Sequence, residues 1–582
     1  MRSLKLACVL IALLLVTGCG RGRRVSFELV ATSDIHGNLF PYDYMGATGT
    51  PDSGSLARVA TWLGEERREY GNRLLYFDLG DQLQGNAMVY YDQTADYSGS
   101  SLAAEVLNEL GCQASVLGNH DVEAGVPTID RFTSTASFPV LCGNIFYRDT
   151  EYSVYDPYTI IERKGVRIAV VGLTTKYVLC KLPASSFEQQ EVMGVEECAR
   201  ELIPYIIENE HPHLIVGLIH SGLEGGLEGD AFVENEALST AVNVPGFDVV
   251  FYGHDHEASV RKVENCQGDS VLLINPGPYA LNVARVHVNL RMASGAVAGC
   301  SISGELADMS VVKPDDRLTD GFRNRIDAVW HYQDSVAGKV DFTLDGMEAV
   351  TGPSMLTDYF GNAIMRCINC EIALSSPYDE SLYIPAGNVT MRDLRNIYPY
   401  ENPVTALMLK GSDVVRILEN SSACWMNTIG SPADTLLNIV QSGDGYAFRY
   451  RVFDFISAAG INYVVDVTKP AGHRVTVLSM SDGGRFDPDK RYRVGMSSFM
   501  ASGGSADFCS FAGMSGPELR SLELYSSGAD MRFHLITNLT EHSSKGMTFS
   551  MQPAGNWKLV PEDLVSEVLE RDMNLIRPAL QR

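Results

Sequence analysis

The sequence predicts an α/β protein with more than one domain, and three observations support this prediction. The chain has 582 residues, more than a single hydrophobic core usually serves, so two domains are expected. Apolar residues make up 45% of the chain and aromatic residues 9%, which indicates a folded globular protein. From about residue 25 to 306, short apolar runs alternate with amphipathic helical patterns, an order typical of α/β domains.

The N-terminus has the pattern of a targeting segment. A basic start is followed by an apolar run at 6–16, which is too short for a comfortable transmembrane helix. The stretch Leu15-Val16-Thr17-Gly18-Cys19 resembles a bacterial lipobox, in which cleavage leaves a lipidated cysteine. We therefore predict a lipoprotein signal peptide at 1–18 and an extracytoplasmic chain, periplasmic or at the cell surface, held to a membrane by lipid on Cys19. An ordinary secretory signal is the alternative.

The first domain is predicted at 25–308, with a sandwiched or open sheet. Helical periodicity predicts helices at 55–69, 101–110 and 195–208, and apolar runs predict strands at 167–173 and 271–274. In such folds, ligands bind at the carboxyl ends of the strands. Side chains that follow those strands are therefore the first candidates for a functional site.

Five of the apolar runs end in short motifs that carry carboxylate, amide or imidazole groups. They are Asp34-Ile35-His36-Gly37, Gly80-Asp81, Gly118-Asn119-His120-Asp121, His220-Ser221-Gly222 and Gly253-His254-Asp255-His256. One such ending is usually only a turn. Five of them in one chain favour a metal site, because these groups are ligands of divalent cations such as Zn²⁺ and Mn²⁺.

In this order, the five motifs resemble those of the calcineurin-like metallophosphoesterases. The resemblance implies a β-sandwich flanked by helices and a pair of divalent metal ions (Zn, Mn, Co or Mg). It implies that Asp81 bridges the two metals. It assigns Asp34, His36 and His256 to one metal and Asn119, His220 and His254 to the other.

The same resemblance leaves His120 outside the metal ligands, as a catalytic residue. A free imidazole beside the metals can stabilise charge in the transition state or protonate the departing oxygen. In the nucleotidase branch, the matching histidine pairs with a carboxylate three residues later, often an aspartate. Here that position is Glu123, so we predict a His120–Glu123 pair, with an exposed loop acid as the alternative.

A second domain is predicted after a linker. The polar stretch 313–316 and a helical pattern at 317–333 predict a linker helix at 309–335. Mixed strand and helix patterns then predict an α+β domain at 336–555 and a C-terminal helix segment at 556–582. Within that segment the helix is predicted to open at Pro561-Glu562-Asp563 and to run to about residue 574.

Four segments of this second domain resemble the 5′-nucleotidase C-terminal domain. They are Gly361-Asn362, the stretch 398–402, the stretch 460–466 and the stretch 498–504. The resemblance implies nucleotide binding, with Phe499 and Phe455 stacking on the base and Phe453 as an alternative to Phe455. It also implies substrate contacts for Asn362 and for Asp507 at the ribose, where Ser505 is the alternative.

One departure from that family concerns an arginine. Many 5′-nucleotidases carry a Gly-Gly-x-Arg segment where this chain has 373–380, which contains no arginine. The region looks more like that of 2′,3′-cyclic-nucleotide 2′-phosphodiesterase/3′-nucleotidases. Arg366, Arg392 and Arg395 are candidates to fill the gap.

Charge narrows the choice of partner. The formal net charge is −26, whereas a nucleic-acid polymer needs a basic surface, so no such partner is expected. The expected function is hydrolysis of nucleotides by an extracytoplasmic two-metal phosphohydrolase. The alternatives are a hydrolase of another phosphate or sulfur ester and a non-catalytic nucleotide-binding surface lipoprotein.

Overall fold

The structure is a computed structural model in which the chain forms two compact units. The first falls within Met1–Lys176, Glu191–Gly226 and Val233–Arg323, and the second within Tyr177–Gln190, Leu227–Phe232 and Asn324–Arg582. The signal peptide predicted at 1–18, Cys19 and Ser505 lie outside the described residues. Those described are 23–42, 54–94, 99–180, 182, 187–226, 228–229, 232–400, 402–442, 445–503 and 506–580.

The first unit contains two six-stranded sheets. In spatial order, the first sheet consists of Ala296–Asp308, Asn282–Ala293, Arg23–Thr32, Leu74–Asp78, Cys112–Val116 and Val140–Leu141. The second consists of Ser259–Glu264, Ser270–Asn275, Val249–Tyr252, Leu214–His220, Val166–Thr174 and Tyr158–Arg163. Arg23–Thr32, Leu74–Asp78 and Cys112–Val116 run parallel in the first sheet, as do Val166–Thr174, Leu214–His220 and Val249–Tyr252 in the second.

A single apolar core lies between these two sheets. Phe27 and Phe77 of the first sheet share it with Val170 and Phe251 of the second, and the rings of Phe77 and Phe251 lie 6.2 Å apart. Strands buried on both faces read as continuous apolar runs in a sequence, and Leu214–His220 is buried at every position. This arrangement confirms the predicted β-sandwich.

Helices flank the sandwich, and their bounds differ from the sequence prediction by at most two residues where helices were predicted. The predicted helices at 55–69, 101–110 and 195–208 are Leu56–Tyr70, Leu102–Glu109 and Val195–Glu210. The remaining α-helices described before residue 310 are Ala87–Thr94, Asn119–Glu123, Val126–Thr135 and Ala237–Asn243. Helix Val195–Glu210 packs its apolar side on the outer face of the second sheet.

The parallel strands bring the candidate motifs to one edge of each sheet. Arg23–Thr32, Leu74–Asp78 and Cys112–Val116 are neighbours in the first sheet, so the loops that follow them emerge side by side. Leu214–His220 and Val249–Tyr252 are neighbours in the second sheet in the same way. This is the arrangement expected of ligand sites in α/β folds.

The second unit is built on a five-stranded sheet of Ser457–Ala459, Ile372–Ser375, Arg491–Ser497, Pro403–Lys410 and Glu523–Asp530. A three-stranded sheet contains Val475–Met480, Ile461–Asp466 and Trp557–Val560. Its longer helices are Met355–Cys367, Gly411–Trp425, Met531–Ser543 and Glu562–Leu580. Within the predicted linker the structure has two helices, Asp316–Gly321 and Arg323–Asp334. The domain boundaries themselves remain predictions.

The predicted opening of the C-terminal helix at 561–563 is confirmed, since the helix is Glu562–Leu580. Within the predicted segment 556–582, Trp557–Val560 is instead a strand, because it pairs in parallel with Ile461–Asp466. Trp557 is buried there and its ring stacks on Tyr463 at 5.5 Å, so apolar packing extends the sheet by one strand. Among the described helices, none is both long enough and apolar enough to cross a membrane.

Candidate active site

The structure brings six of the seven predicted metal ligands into one cluster, and His254 lies beside it. Donor atoms of Asp34, His36 and His256 lie within 4.8 Å of one another, as do those of Asp34, Asp81 and His220. Asp34 is common to both groups. The cluster therefore offers two adjacent positions for a cation.

Donor atoms from both groups face one another across the cluster at 3.2–3.8 Å. The Nε2 atoms of His36 and His256 face each other at 3.2 Å. Asp81 Oδ2 lies 3.3 Å from His220 Nε2 and 3.8 Å from His36 Nε2, so it lies between the two groups. Asn119 Oδ1 lies 3.3 Å from His220 Nε2 and adds an amide oxygen to the second group.

The residues present fit divalent metal ions, and Asp34 gives the clearest sign of this. Its side chain is fully buried, and its Oδ1 has no hydrogen bond of good geometry among the described residues, the nearby His256 Nε2 lying 3.4 Å away. Its Oδ2 accepts from Ser33 Oγ and from the backbone N–H of His254 at 3.1 Å. A buried carboxylate oxygen without a donor is costly, and a cation at this position would remove that cost.

Two of the histidines are oriented by backbone carbonyls. His36 Nδ1 lies 3.1 Å from Gln84 O, and His220 Nδ1 lies 2.6 Å from Leu79 O. A hydrogen bond at one ring nitrogen fixes which nitrogen remains for a metal. Both residues consequently direct Nε2 into the cluster.

The protonation pattern of the cluster follows from burial and from two carboxylates. Burial disfavours the imidazolium form of His220, but the charges of Asp81 and Asp34 raise its pKa to about 10. At His36, burial dominates and lowers the pKa to about 4. Burial opposes ionisation of Asp34 and Asp81, yet the neighbouring histidines hold the pKa of both carboxyls below the usual range. The two carboxylates that favour a proton on His220 would equally favour a cation bound beside it.

His254 stands apart from these two groups. Its ring centroid lies 5.5 Å from that of His220, but its Nε2 lies 3.0 Å from Glu234 Oε1. The sequence placed His254 with Asn119 and His220. The structure places it beside them, with Glu234 as a partner that the sequence analysis missed.

His120 and Glu123 lie on the short helix Asn119–Glu123. His120 Nδ1 lies 2.9 Å from Glu123 Oε2, and Glu123 Oε1 accepts from Asn119 Nδ2 at 3.2 Å. The backbone N–H of His120 also donates to Asp81 Oδ1 at 2.9 Å. Glu123 therefore contacts both Asn119 and His120, and the alternative of an exposed loop acid is wrong.

Asp121, in the same motif, holds the loop that carries Asp81. Its carboxylate accepts backbone N–H bonds of 2.8 Å from Gly118, Asp81, Gln82 and Leu83. The two turns also approach each other closely, since a Cβ added to Gly118 would lie 2.1 Å from Asp81 Oδ1. The sequence analysis quoted Asp121 but gave it no role.

The backbone at the cluster is strained at most of its ligands. Positive φ angles occur at Asp34 (51°), His36 (50°), Asp81 (58°), His254 (80°) and His256 (59°). Such angles are unfavourable for residues other than glycine, at about 1–3 kcal/mol each, and they concentrate at functional sites. The fold therefore holds these side chains in positions that local preference alone would not give.

Tyr279 is a second residue that the sequence analysis missed. Its ring lies 5.8 Å from that of His36 and 5.7 Å from that of His256, and 38% of the residue is exposed. Its backbone N–H donates to Asp34 O at 2.9 Å, and its φ is 61°. The only sequence signal was its place in a turn after an apolar strand. It supplies an aromatic surface beside the exposed His256.

The aromatic residues predicted to stack on a base differ in exposure. Phe499 is half-buried in the short helix Ser498–Ala501, at the end of the strand Arg491–Ser497. Phe455 is only 3% exposed, with its ring 5.3 Å from that of Trp425 and 6.1 Å from that of Trp557. The assignment of Phe455 to base stacking is therefore wrong, because the apolar core covers the ring. The alternative, Phe453, is half-buried, with the Arg451 guanidinium 5.7 Å from its ring centroid.

The remaining predicted substrate residues lie in the second unit. Asn362 is half-buried on Met355–Cys367, and its Oδ1 has no hydrogen-bond partner among the described residues. Asp507 is exposed and lies beside Asp454. Burial and the charge of Asp507 raise the pKa of Asp454 to about 7. This acid pair can thus hold a proton near neutral pH.

The three arginines considered as substitutes for the missing one lie in different surroundings. Arg392 pairs with Asp334 at 2.7 Å and lies over the Trp330 ring, while Arg366 pairs with Glu541 at 3.3 Å. Arg395 is 5% exposed. Arg366 and Arg392 are thus each engaged by a carboxylate.

Two family models match the chain. Residues 27–258 match the calcineurin-like phosphoesterases, and residues 336–512 match the 5′-nucleotidase C-terminal domain. The trifunctional nucleotide phosphoesterase protein YfkN of Bacillus subtilis is 25% identical, over 92% of this chain and 39% of that protein. A 2′,3′-cyclic-nucleotide 2′-phosphodiesterase/3′-nucleotidase of Haemophilus influenzae is 24% identical, over 92% of this chain and 88% of that protein.

A solved structure has the same fold. The NAD nucleotidase NadN of Haemophilus influenzae is 18% identical, with a TM-score of 0.58 over 92% of this chain and 99% of the other. The chain thus combines a calcineurin-like phosphoesterase domain with a 5′-nucleotidase C-terminal domain.

Proposed function

We propose that this protein is a two-metal phosphohydrolase that releases phosphate from nucleotides. The observation that carries the proposal is the convergence of donor atoms on two adjacent cation positions that share Asp34, with Asp81 between them. Two-metal phosphatase and nuclease sites hold their ions about 3.5–4 Å apart, which suits this arrangement. Divalent ions bound there would stabilise negative charge that develops on the phosphoryl group.

The residues of the chain take distinct parts in this reaction. Water adds to phosphorus and the bond to the ester oxygen breaks, so the leaving oxygen needs a proton. His120 is the proposed donor of that proton, and Glu123 holds its ring through Nδ1. Asp81 holds the backbone of His120 through Oδ1, while its Oδ2 faces the cation positions. Asp81 therefore holds the proposed proton donor at a fixed position relative to the cation positions.

The arginine-free segment supports a preference among nucleotides. Arginine grips phosphates through a two-pronged contact that neutral groups replace poorly. The segment near Ser375 and Ser376 lacks that contact, and a relative that aligns over 88% of its length is a 2′,3′-cyclic-nucleotide 2′-phosphodiesterase/3′-nucleotidase. We therefore expect 2′,3′-cyclic and 3′-nucleotides to be hydrolysed at least as well as 5′-monophosphates.

The test compares kcat/KM for 2′,3′-cyclic AMP, 3′-AMP and 5′-AMP with the same metal ion. A strong preference for 5′-AMP would contradict the preference while leaving the two-metal proposal intact. Binding of all three nucleotides without hydrolysis of a phosphate ester in any of them would contradict the enzymatic proposal. Hydrolysis of base-free phosphate esters alone would assign another substrate class.

Phe499 is the proposed base-stacking residue. Phe499→Ala should weaken nucleotide substrates by about 1–3 kcal/mol, mainly in KM, because stacking is the same in the ground and transition states. p-Nitrophenyl phosphate, which has no base, should be hydrolysed as by the wild type. Phe533→Ala is the matched control, since Phe533 is 49% exposed on Met531–Ser543. Equal losses on both substrates would place Phe499 in a purely structural role.

We also propose an extracytoplasmic, lipid-anchored location, which the sequence at 1–19 supports. An extracytoplasmic enzyme anchored by lipid at Cys19 accounts for the lipobox-like stretch at 15–19. Cys19→Ser should release the protein from the membrane fraction. Retention of that variant at the membrane would contradict the anchor.

A further inference from the structure

Glu234 contacts one candidate metal ligand directly. Its Oε1 lies 3.0 Å from His254 Nε2, and the two side chains are only 16% and 9% exposed. The sequence offered no reason to single out this acid, which lies in the loop between two strands of the second sheet.

The loop that carries Glu234 is fixed to the end of a site strand. The carbonyl oxygen of Glu234 accepts from Thr175 Oγ1 at 2.6 Å and from Ser221 Oγ at 2.8 Å. Ser221 directly follows His220, so the same strand end positions one ligand and the acid that contacts another. A Cβ at Gly226 would lie 2.6 Å from Glu234 Oε2, so the chain approaches the carboxylate closely there.

The contact sets which nitrogen of His254 a cation can use. His36 and His220 are held through Nδ1 and direct Nε2 into the cluster. His254 is held through Nε2, so a cation would bind it through the other ring nitrogen, Nδ1. The backbone N–H of His254 donates to Asp34 Oδ2 at 3.1 Å, which anchors the backbone of this residue beside the cluster.

We propose that Glu234 is a positioning residue for the cation site that contains Asn119 and His220. It orients His254 and makes its imidazole a stronger ligand through the hydrogen bond at Nε2, as carboxylates do behind metal-bound histidines. The proposal rests on the two-metal function proposed above. Glu234 belongs to neither of the two groups of donor atoms among the described residues.

The test is a calorimetric titration of Co²⁺ into metal-free full-length protein, with the visible absorption of bound Co²⁺ followed in parallel. Wild type should bind two equivalents. Glu234→Gln should bind one equivalent about 10–100-fold more weakly and the other unchanged. Glu234→Asp, which keeps the charge, should recover part of the loss. Glu224→Gln is the matched control, because Glu224 lies ten residues earlier in the same connection between strands of the second sheet but pairs with Arg261 at 3.2 Å.

The titration outcomes separate the positioning role of Glu234 from the two-metal function. Wild-type affinity for both equivalents in Glu234→Gln would overturn the proposal, as would equal weakening of both. Fewer than two equivalents in the wild type would instead overturn the two-metal function itself. If Glu234→Gln lowers the unfolding temperature of the metal-free protein, Glu234→Asp serves as the test instead. Wild-type affinity for both equivalents in that variant would then overturn the proposal.

Discussion

Replacing Asp81 by asparagine should lower phosphate release from nucleotides by at least about 10³-fold. The loss follows because the side chain would no longer offer a charged oxygen between the two cation positions, and stabilisation by metal ions is worth several kcal/mol. Asparagine is chosen because it tolerates the positive φ of 58° at this position. Metal content measured on the same sample should fall below that of the wild type.

A matched control separates this loss from damage to the fold. Asp149 is exposed and has a φ of 59°, so Asp149→Asn makes the same chemical change in the same backbone conformation. That variant should keep wild-type activity. If Asp81→Asn kept both its metal content and its rate, Asp81 would not lie between the metals.

Replacing His120 by alanine should lower kcat by about 10²–10⁴-fold and leave metal content unchanged. The imidazole is held by Glu123 at 2.9 Å and is not needed to complete either group of donor atoms. The loss should be smaller with p-nitrophenyl phosphate, whose leaving group needs little protonation. Steady-state kinetics on both substrates measure this difference.

Two further results would change the role of His120. Loss of a metal ion in His120→Ala would make it a ligand, whereas an unchanged kcat would exclude it from the chemistry. His331→Ala serves as the control, because His331 is exposed on the helix Arg323–Asp334 and should have no effect.

The sequence predicted the fold and the membership of the cluster for related physical reasons. Strands buried on both faces read as apolar runs, and Leu214–His220 was recognisable as such a run that ends in a ligand. Because parallel strands end at the same edge of a sheet, Asp81 and Asn119 could be placed together without any knowledge of distances. The periodicity of Leu56–Tyr70 located a flanking helix in the same way.

The sequence failed where tertiary packing decides the environment. Phe453 and Phe455 flank one aspartate at a single 3₁₀ turn, and only contact with Trp425 and Trp557 determines that Phe455 is buried. Glu234 lies in a stretch without periodicity, so nothing in the sequence indicated that it contacts His254. The positive φ angles of the ligands are likewise imposed by the surrounding structure.

The central claim is that a pair of bound divalent ions drives nucleotide hydrolysis at the Asp81 cluster. The most direct measurement is the rate of phosphate release from 3′-AMP as Mn²⁺ is added to metal-free protein. The rate should be near zero without metal and should reach a plateau at two equivalents per chain. Full activity in the metal-free protein, or a plateau at one equivalent, would contradict the claim.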